Sequence, residues 1–568
     1  MKLLILAWLL LYQQILTNPI DHRSYANYHV LEIDGDEQQL KTFRSEIEQY
    51  PAYDIEIWQY GGDNIKNLHV LVSPNFYTKF SKIADDLELK PVLKVDNVNE
   101  LIKSQLKENF NLLLNSISSS KREEIEEQSL NSNPHVIQYV QSILDDEASL
   151  LNDAAGYFQQ EDLKDLVKRS NRVLGVYPRL QHFWLMFMKD FMISFKKHKR
   201  IRLITGSSFE QREIPLLIIS TNLRENYSKV RTKKRIHGNH RKKSLEKIIS
   251  KNRSENYRIL STVEQYFKSI NKPGIFIEAG IHAREWISPA VALWMIDKLT
   301  KTSPLKDINS QNLIENVNWF IAPLVNPDGY EYTHENDRLW RKTRSVEYDN
   351  LQKTHCRGVD GNRNFDIKWG EEGASADPCM NNYQGSKPFS EPEMQSIADF
   401  ITKNSKQIRA YVALHSYSQK ILVPWSFGLP KPDDYDTLRT IAKKAAKEIQ
   451  KLSGKDYEVG ASPEILYAAS GNSADWVKAK RNIKYSYVIE LRDKGKYGFL
   501  LPPKEIVPTA QEAFIAIGTI VKEAMIKTKE KKGDHDNMIK SWYKQFKNIL
   551  FNDEFEYKDK TNQKFDAN

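Results

Sequence analysis

The chain has 568 residues, which exceeds the usual size of one folding domain and predicts two or more units. Hydrophobic residues make up 40% of the chain, which excludes disorder throughout, and the formal net charge of +9 matters only where the charges cluster. With only two cysteines, Cys356 and Cys379, a zinc site built from cysteines is excluded, so any metal must bind His, Asp or Glu.

The N-terminus is basic and then apolar. Met1 and Lys2 precede an uncharged apolar run that ends at Leu11. This run is shorter than the roughly 20 apolar residues that span a bilayer, and it is typical of a secretory signal peptide, which we assign to residues 1–18. A buried N-terminal helix is the alternative. Since no other run is long enough to cross a membrane, we expect a secreted, extracellular protein.

Residues 19–105 are predicted to form a small α+β domain. Alternating and helical patterns predict strands at 28–33, 53–59, 67–72 and 92–95 and helices at 38–50 and 78–90. Residues 106–174 are polar and helical with little pattern, and we interpret them as a connecting segment. Two dibasic pairs, Lys121-Arg122 and Lys168-Arg169, lie in this segment. Each is either a cleavage site for an activating protease or a pair of solvated charges on a helix.

Residues 175–527 alternate between short apolar strands and longer helices. The strands are predicted at 201–204, 214–220, 274–279, 317–325, 409–414 and 485–491. The helices are predicted at 288–301, 391–403, 433–452, 472–480 and 508–526. Such alternation predicts an α/β layered domain.

Two segments interrupt or follow this domain. Residues 222–272 are a basic insertion with two acceptor sequences for N-glycosylation, at Asn226 and Asn252. The insertion could bind a polyanion such as nucleic acid, but a solvated loop is the preferred interpretation, so no specific nucleic acid is expected as a partner. Residues 528–568 form a charged C-terminal tail whose sequence indicates no chemistry.

A candidate metal site follows the predicted strand at 274–279. His282 and Glu285 are three residues apart and could converge on one zinc ion where the backbone turns. This pair is weak by itself, and it lacks the second histidine of the H-E-x-x-H motif. His415, directly after the strand at 409–414, is the candidate for the third ligand.

Glu490 is the candidate general base of such a site. It lies in the apolar strand at 485–491, where burial of a carboxylate is costly unless the group is functional or paired. Hydrolysis by a zinc-bound water requires a group that accepts a proton, and a carboxylate can do this. The alternative is a structural ion pair between Glu490 and Arg492 or another cation.

Six motifs occur in a fixed order: HAREW, NPDGYEYTH, NDRLWRKTRS, VDGNRNF, LHSYSQ and IELRDKGKYGFLLP. In this order they resemble the pancreatic-type zinc carboxypeptidases, the funnelin family, over residues 175–527 apart from the basic insertion. Residues 25–100 resemble the inhibitory pro-domain of that family. The resemblance implies an α/β catalytic domain with a mixed central sheet flanked by helices, preceded by a small α+β pro-domain.

The resemblance also implies a catalytic role for five residues. His282, Glu285 and His415 correspond to the ligands of one Zn²⁺ ion, and Glu490 corresponds to the general base. Arg341 resembles the residue whose fixed positive charge stabilises the developing oxyanion. Cys356 and Cys379 match the family disulfide, which two nearby cysteines in an oxidising compartment are expected to form in any case.

Further positions resemble the substrate-binding residues of the family: Arg284, Asn362, Arg363, Tyr417, Tyr467, Ala474 and Phe499. Arg284 resembles a residue that binds the scissile peptide. Asn362 and Arg363 resemble the clamp on the C-terminal carboxylate of the substrate, for which the planar guanidinium is well suited. Tyr467 resembles the mobile tyrosine that closes over the terminal residue.

The implied function is that of a secreted carboxypeptidase zymogen that acts as a monomer. Its partners would be peptide and protein substrates and an activating endoprotease. Ala474, small and neutral at the implied pocket floor, favours apolar C-terminal residues (the A-type specificity), although Ser426 and Ser462 add some polarity. The alternatives are a B-type enzyme for C-terminal Lys or Arg and an inactive relative that binds peptides or polyanions.

Overall fold

The computed structural model describes residues 23–59, 67–116, 177, 201–220, 273–301, 317–346 and 356–526. The predicted signal peptide, the basic insertion with Asn226 and Asn252, both dibasic pairs and the C-terminal tail lie outside these residues. Among the residues that the structure describes, no helix has the length and apolar character needed to span a membrane.

The N-terminal domain is an antiparallel sheet covered by two helices. Its elements are β1 (His29–Asp34), α1 (Glu37–Ile47), β2 (Ile55–Gln59), β3 (Asn67–Val72), α2 (Tyr77–Asp86) and β4 (Lys90–Val95), and the strand order is β2-β3-β1-β4. Asp36 caps α1 by accepting a hydrogen bond from the backbone N–H of Gln39. The side chain of Gln39 in turn accepts a hydrogen bond from the backbone N–H of Asp36. Leu40, Phe43 and Ile47 then lie on one face of α1 and are buried.

Helix α3 (Val98–Ser116) continues from this domain through the predicted boundary at residue 105 without a break. The Gln105 amide donates a hydrogen bond to the Leu501 carbonyl (2.8 Å) and accepts one from Arg338 Nε (3.0 Å). One turn later, Asn109 forms two hydrogen bonds with the backbone of Tyr177. These contacts anchor α3 on the C-terminal domain.

The C-terminal domain contains an eight-stranded mixed sheet. Its strands are β5 (Ile201–Ser207), β6 (Glu213–Ile219), β7 (Gly274–Ala279), β8 (Asn318–Ala322), β9 (Ile408–His415), β10 (Lys420–Val423), β11 (Glu458–Ala461) and β12 (Tyr485–Glu490). The strand order is β11-β10-β12-β9-β7-β8-β6-β5. All six predicted strands are present, and the mixed sheet of the fold prediction is confirmed.

Helices flank the sheet on both sides. They are α4 (Ile287–Lys301), α5 (Pro327–Glu335), α6 (Pro392–Asn404), α7 (Tyr435–Ser453), α8 (Ser462–Ile465), α9 (Ser473–Arg481) and α10 (Ile506–Ile526). One buried cluster contains residues of α4, α7 and α10, and a second contains residues of α6 and α9. With both faces covered, every residue of β7 and β12 is buried, which explains their continuous apolar character.

Three parallel neighbours in the centre of the sheet position the candidate site. Strands β12, β9 and β7 are adjacent and parallel, so their carboxyl ends meet at one edge. In this register Glu490 lies directly beside His415, and Ala279 lies beside Leu414. The segment with His282 and Glu285 begins three residues beyond β7, at the same edge.

Candidate metal centre and active site

His282, Glu285 and His415 converge at this edge of the sheet. Nδ1 of His282 lies 2.7 Å from Oε1 of Glu285 and 3.1 Å from Nδ1 of His415. Nδ1 of His415 lies 3.2 Å from Oε2 of Glu285. All three side chains are buried, and their ligand atoms lie within 4.8 Å of one another.

This geometry fits a zinc ion. Ligand atoms about 2.1 Å from a tetrahedral zinc are about 3.4 Å apart, close to the separations that are present. The two imidazole nitrogens face each other and the carboxylate of Glu285. A cation between these three groups would stabilise this arrangement. Two histidines and one glutamate are also the donor set of catalytic zinc sites, which keep a further position open. The three predicted ligands are therefore placed together in a zinc-compatible arrangement.

Asp360 orients this cluster from behind. Nε2 of His282 donates to Oδ1 of Asp360 (3.1 Å), which leaves Nδ1 of His282 to face the other ligands. Oδ2 of Asp360 accepts from Nε and Nη2 of Arg341 (3.1 and 2.8 Å). Although burial opposes ionisation, Arg341 and His282 hold the pKa of Asp360 well below its usual range.

Asp360 lies in the VDGNRNF motif but is not among the predicted site residues. The signal that could have found it is its position two residues before Asn362, within the turn that carries the clamp. A histidine ligand needs a partner on its second nitrogen, so a buried carboxylate near the motif was the group to look for.

Glu490 ends β12 and is buried beside the ligand cluster. Burial, and then the like charge of Glu285, raise its pKa, while His415 and Arg341 oppose the shift. The alternative partner considered above, Arg492, instead pairs with Glu505 and Glu512. Its Nε donates to Glu512 across 2.9 Å. The structural ion pair between Glu490 and Arg492 is therefore excluded.

Nearly all predicted site residues line one cavity. It is bounded by His282, Arg284, Glu285, Arg341, Asn362, Arg363, His415, Tyr417, Tyr467, Glu490 and Phe499, together with residues of the N-terminal domain. Ala474 is not among the residues that bound this cavity. It lies in the first turn of α9, is 2% exposed, and its carbonyl accepts a hydrogen bond from Ser486 Oγ (2.7 Å).

A short 3₁₀ turn, Gly361–Arg363, presents the predicted carboxylate clamp. Nε of Arg363 donates to the Gly373 carbonyl (2.8 Å), and the guanidinium lies 5.6 Å from the centre of the Tyr467 ring. The chain at Gly471 passes so close that a Cβ there would lie 2.3 Å from the Arg363 carbonyl oxygen. Gly471 also has φ +68°, so only glycine fits without strain.

The N-terminal domain covers the cavity through β2. Glu56 forms an ion pair with Arg284 (2.8 Å) and accepts a hydrogen bond from Asn381 (2.7 Å). Trp58, two residues later on the same face, packs edge-on against Phe499 with ring centroids 5.3 Å apart. The resemblance implies an inhibitory pro-domain, but Glu56 and Trp58 are not among the predicted residues.

The predicted disulfide between Cys356 and Cys379 is present. The two residues are 23 positions apart. Their bridge closes the segment that leads into the clamp turn and to Asn381. It thereby ties together two parts of the cavity wall.

Comparisons with known proteins agree with this architecture. Residues 186–516 match the sequence profile described as zinc carboxypeptidase, and residues 35–105 match that of the carboxypeptidase activation peptide. Carboxypeptidase B of Astacus astacus is 44% identical over 250 residues, which cover 44% of this chain and 80% of that protein. Carboxypeptidase A2 of Mus musculus is 43% identical over 251 residues, 44% of this chain and 58% of that protein.

Among solved structures, the crystal structure of thrombin activatable fibrinolysis inhibitor has the same fold. It superposes with a TM-score of 0.60 and 26% sequence identity, over 89% of this chain and 100% of that one. Together with the profile matches, this confirms the family resemblance that the six motifs indicated. The chain therefore belongs to the zinc carboxypeptidase family and carries an activation-peptide domain before its catalytic domain.

Proposed function

We propose that the protein is the secreted precursor of a zinc-dependent carboxypeptidase that removes the C-terminal residue of peptides and proteins. The observation that carries this proposal is the convergence of His282, Glu285 and His415 beside Glu490. The clamp residues Asn362 and Arg363 bound the same buried cavity. The proposal includes an endoprotease that removes the activation-peptide domain.

A bound zinc would polarise the scissile carbonyl and lower the pKa of water at the open position. Glu490 accepts the proton of the attacking water and delivers it to the leaving nitrogen, and its raised pKa suits both transfers. Arg341 stabilises the negative charge that develops on the carbonyl oxygen. Burial opposes the charge of Arg341, but Asp360 keeps its pKa above the usual value, so it stays cationic.

The clamp explains why cleavage starts at the chain end. Only a C-terminal residue places a carboxylate one residue from the scissile bond. Asn362 and Arg363 would bind this carboxylate, and Tyr467, beside the guanidinium, would close over the terminal side chain. Arg284 would bind the peptide backbone once Glu56 has been removed with the activation domain.

For the terminal side chain we propose the A-type preference for apolar residues. Support comes from Ala474, which offers no charge, and from the neighbouring carboxylate of Asp475, whose Oδ2 is occupied. That oxygen accepts hydrogen bonds from the backbone of Ser426 (2.7 Å) and Phe427 (3.1 Å) and from the side chain of Asn472 (2.9 Å). Burial raises the pKa of Asp475 to about 6, so its charge is lost at mildly acidic pH.

One observation favours the alternative, a B-type enzyme for C-terminal Lys or Arg. Oδ1 of Asp475 is buried and has no hydrogen-bond partner among the described residues. A basic substrate side chain that reached this oxygen would satisfy it. The relatives named above include both a carboxypeptidase B and a carboxypeptidase A2, so they favour neither specificity.

The function is tested with purified precursor that has been treated with trypsin. Peptides that end in Phe, Leu, Arg or Glu are assayed with and without a zinc chelator. We expect chelator-sensitive release of Phe and Leu. If no C-terminal residue is released in a zinc-dependent way, the enzyme proposal is wrong, and an inactive peptide-binding relative takes its place. Release of Arg alone would support the B-type alternative.

A pair of variants tests the specificity at its proposed source. Ala474→Asp places a carboxylate at the pocket floor, so the ratio of kcat/KM for Arg over Phe should rise by about 100-fold or more. Ala474→Ser is the matched control of similar size without charge, and it should retain the preference for Phe. Equal ratios in both variants would show that Ala474 does not face the terminal side chain.

A further inference from the structure

His69 of β3 lies at the interface between the activation domain and the catalytic domain. It is 2% exposed, and its Nδ1 lies 3.3 Å from the hydroxyl oxygen of Tyr417. The two rings stack, with their planes 21° apart. On the same side, a Cβ on Gly495 would lie 2.1 Å from Cε1 of His69, so the imidazole packs directly on the Gly495 backbone. The catalytic domain therefore buries this histidine.

The charged groups around the imidazole come from both domains. Oε1 of Glu32 on β1 lies 3.9 Å from Nε2, too far for a hydrogen bond, and Glu32 is paired with Lys94 of β4. Asp34 of β1 and Asp493 of the catalytic domain favour the charged imidazole, and Lys94 opposes it. The Asp493 carboxylate already accepts three backbone N–H groups, from residues 495, 497 and 498.

Burial outweighs these charges and lowers the pKa of His69 below its ordinary value of 6.5. Among the described residues the imidazole has one close polar partner, the Tyr417 hydroxyl, and this neutral group cannot compensate a buried positive charge in the way a contacting carboxylate would. The contact between the two domains therefore favours the neutral form of the His69 imidazole.

We propose that His69 makes the contact between the activation domain and the catalytic domain sensitive to acid. Protonation of the imidazole weakens this contact and favours release of the activation domain. The proposal rests on the proposed function, in that the covered site is the one that acts on peptides. It adds a regulatory signal, mild acidity, that acts before or together with proteolysis.

The direction follows from linkage. When the domain is released, His69 loses the burial that lowers its pKa, so its pKa rises toward the ordinary value of 6.5, while Glu32, Asp34 and Lys94 of the same domain stay beside it. Docking therefore has its full strength above pH 6.5. It weakens as the pH falls below 6.5, by at most about tenfold per pH unit, and stops weakening below the docked pKa.

The test uses the full-length precursor with zinc present, between pH 5 and 7.5. At each pH the activity of the precursor on a peptide ending in Phe is divided by the activity of the same sample after trypsin treatment. This ratio cancels the pH dependence of catalysis itself. We expect it to rise about three- to tenfold from pH 7.5 to pH 5.5. In His69→Gln, which cannot be protonated, the ratio should not change with pH.

Two further variants separate titration from simple loss of packing. His29→Gln alters another histidine of the activation domain, which faces Asp96 rather than the catalytic domain, and it should keep the rise. Glu32→Gln removes a negative charge of the same domain near the imidazole, which lowers the pKa of His69 in both the docked and the released state, so the rise should shift to lower pH. If His69→Gln is released at every pH, the Glu32→Gln profile decides alone.

The inference is wrong if the wild-type ratio is flat, if His69→Gln rises like the wild type, or if Glu32→Gln leaves the profile unchanged. In each case the trypsin-treated samples still report whether the proposed function holds. If those samples are inactive, amide hydrogen exchange of residues 67–72, corrected for the intrinsic effect of pH, provides the same comparison. Faster exchange near pH 5.5 in the wild type but not in His69→Gln is then the expected result.

Discussion

Glu490 is buried beside three zinc-compatible side chains. Because burial makes an ionised carboxylate costly, the pKa of Glu490 is raised. We expect Glu490→Gln to lower kcat by about 10²- to 10⁴-fold, because the amide cannot accept the proton of the attacking water. Zinc content and KM should change little, since the ligands and the clamp are unaltered. Steady-state kinetics and atomic absorption of the matured enzyme measure these quantities.

The matched control for that variant is Glu458→Gln. Glu458 is exposed on β11 and pairs with Lys420, which lies opposite Glu490 in the sheet. Its loss should leave kcat within about twofold, because exposed ion pairs contribute little. A Glu490→Gln enzyme with full activity and normal zinc would mean that another group is the base.

Glu393 is another buried carboxyl, outside the set of residues that bound the cavity, with a consequence for stability. Its Oε1 accepts a hydrogen bond from the backbone of Phe209 (2.9 Å), and its Oε2 has no partner among the described residues. Burial, and then the negative charge of Glu391, raise the pKa of Glu393 to about 8. The native state therefore holds a proton there that the unfolded chain releases near its ordinary pKa of 4.5.

Because the folded pKa is the higher one, stability from this carboxyl is complete below pH 4.5 and is lost as the pH rises toward 8. Glu393→Gln should remove the loss, so the variant gains about 1–3 kcal/mol over the wild type at pH 8 and little at pH 5. Urea midpoints at both pH values measure this. The exposed Glu371→Gln is the control, and an equal gain at both pH values would contradict the assignment.

At the scale of elements, strand β2 has two functional faces. Ile55 and Ile57 are buried in the core of the activation domain, while Glu56 and Trp58 contact Arg284 and Phe499 of the catalytic domain. The double variant Glu56→Gln/Trp58→Ala should therefore raise the activity of the precursor relative to the matured enzyme by about tenfold or more, because it removes an ion pair and an aromatic contact.

This prediction is measured as the ratio of activities before and after trypsin treatment. Glu37→Gln is the control, since Glu37 is exposed on α1 and pairs with Lys41 of the same helix. An unchanged ratio in the double variant would show that other contacts hold the activation domain. The contacts that α3 makes through Gln105 would then be the next to vary.

The elements themselves differ in how well the sequence predicts them. Strands such as β7 and β12 were predicted because both faces are buried and the apolar run is continuous. Strands β10 and β11 were missed, since four residues carry too little periodicity. Helix α5 was missed because its start, Asn-Pro-Asp-Gly, is typical of a turn. In the structure Asn326 caps this helix by accepting from the backbone of Gly329.

The same contrast applies to the site. The zinc-compatible residues and Glu490 could be predicted because they follow or end strands whose order places them together, and the family motifs support each of them. Asp360 and Glu56 are not among the predicted residues, because their roles depend on contacts with His282, Arg341 and Arg284 that only the folded chain reveals. Glu56 has no local pattern that distinguishes it from other acidic residues, and the local signal for Asp360 is limited to its place in the VDGNRNF motif.

For the whole molecule, the proposed zinc ion would join segments that lie far apart in the sequence. His282 and Glu285 follow β7, and His415 ends β9 more than 100 residues later. A ligand that binds only the folded state stabilises it, by about 4 kcal/mol at a thousandfold excess over Kd. Chelation of zinc should therefore lower the melting temperature of the matured enzyme by about 5 °C or more, and added zinc should restore it.

His415→Ala should melt at the lower temperature and respond to neither chelator nor zinc, because two remaining ligands hold the ion poorly. The Glu490→Gln enzyme, inactive but with all three ligands, should keep the full response to both, which separates metal binding from catalysis. Calorimetry with parallel metal analysis measures these shifts. If His415→Ala retained zinc and its stabilising effect, the third ligand would have to be a residue other than His415.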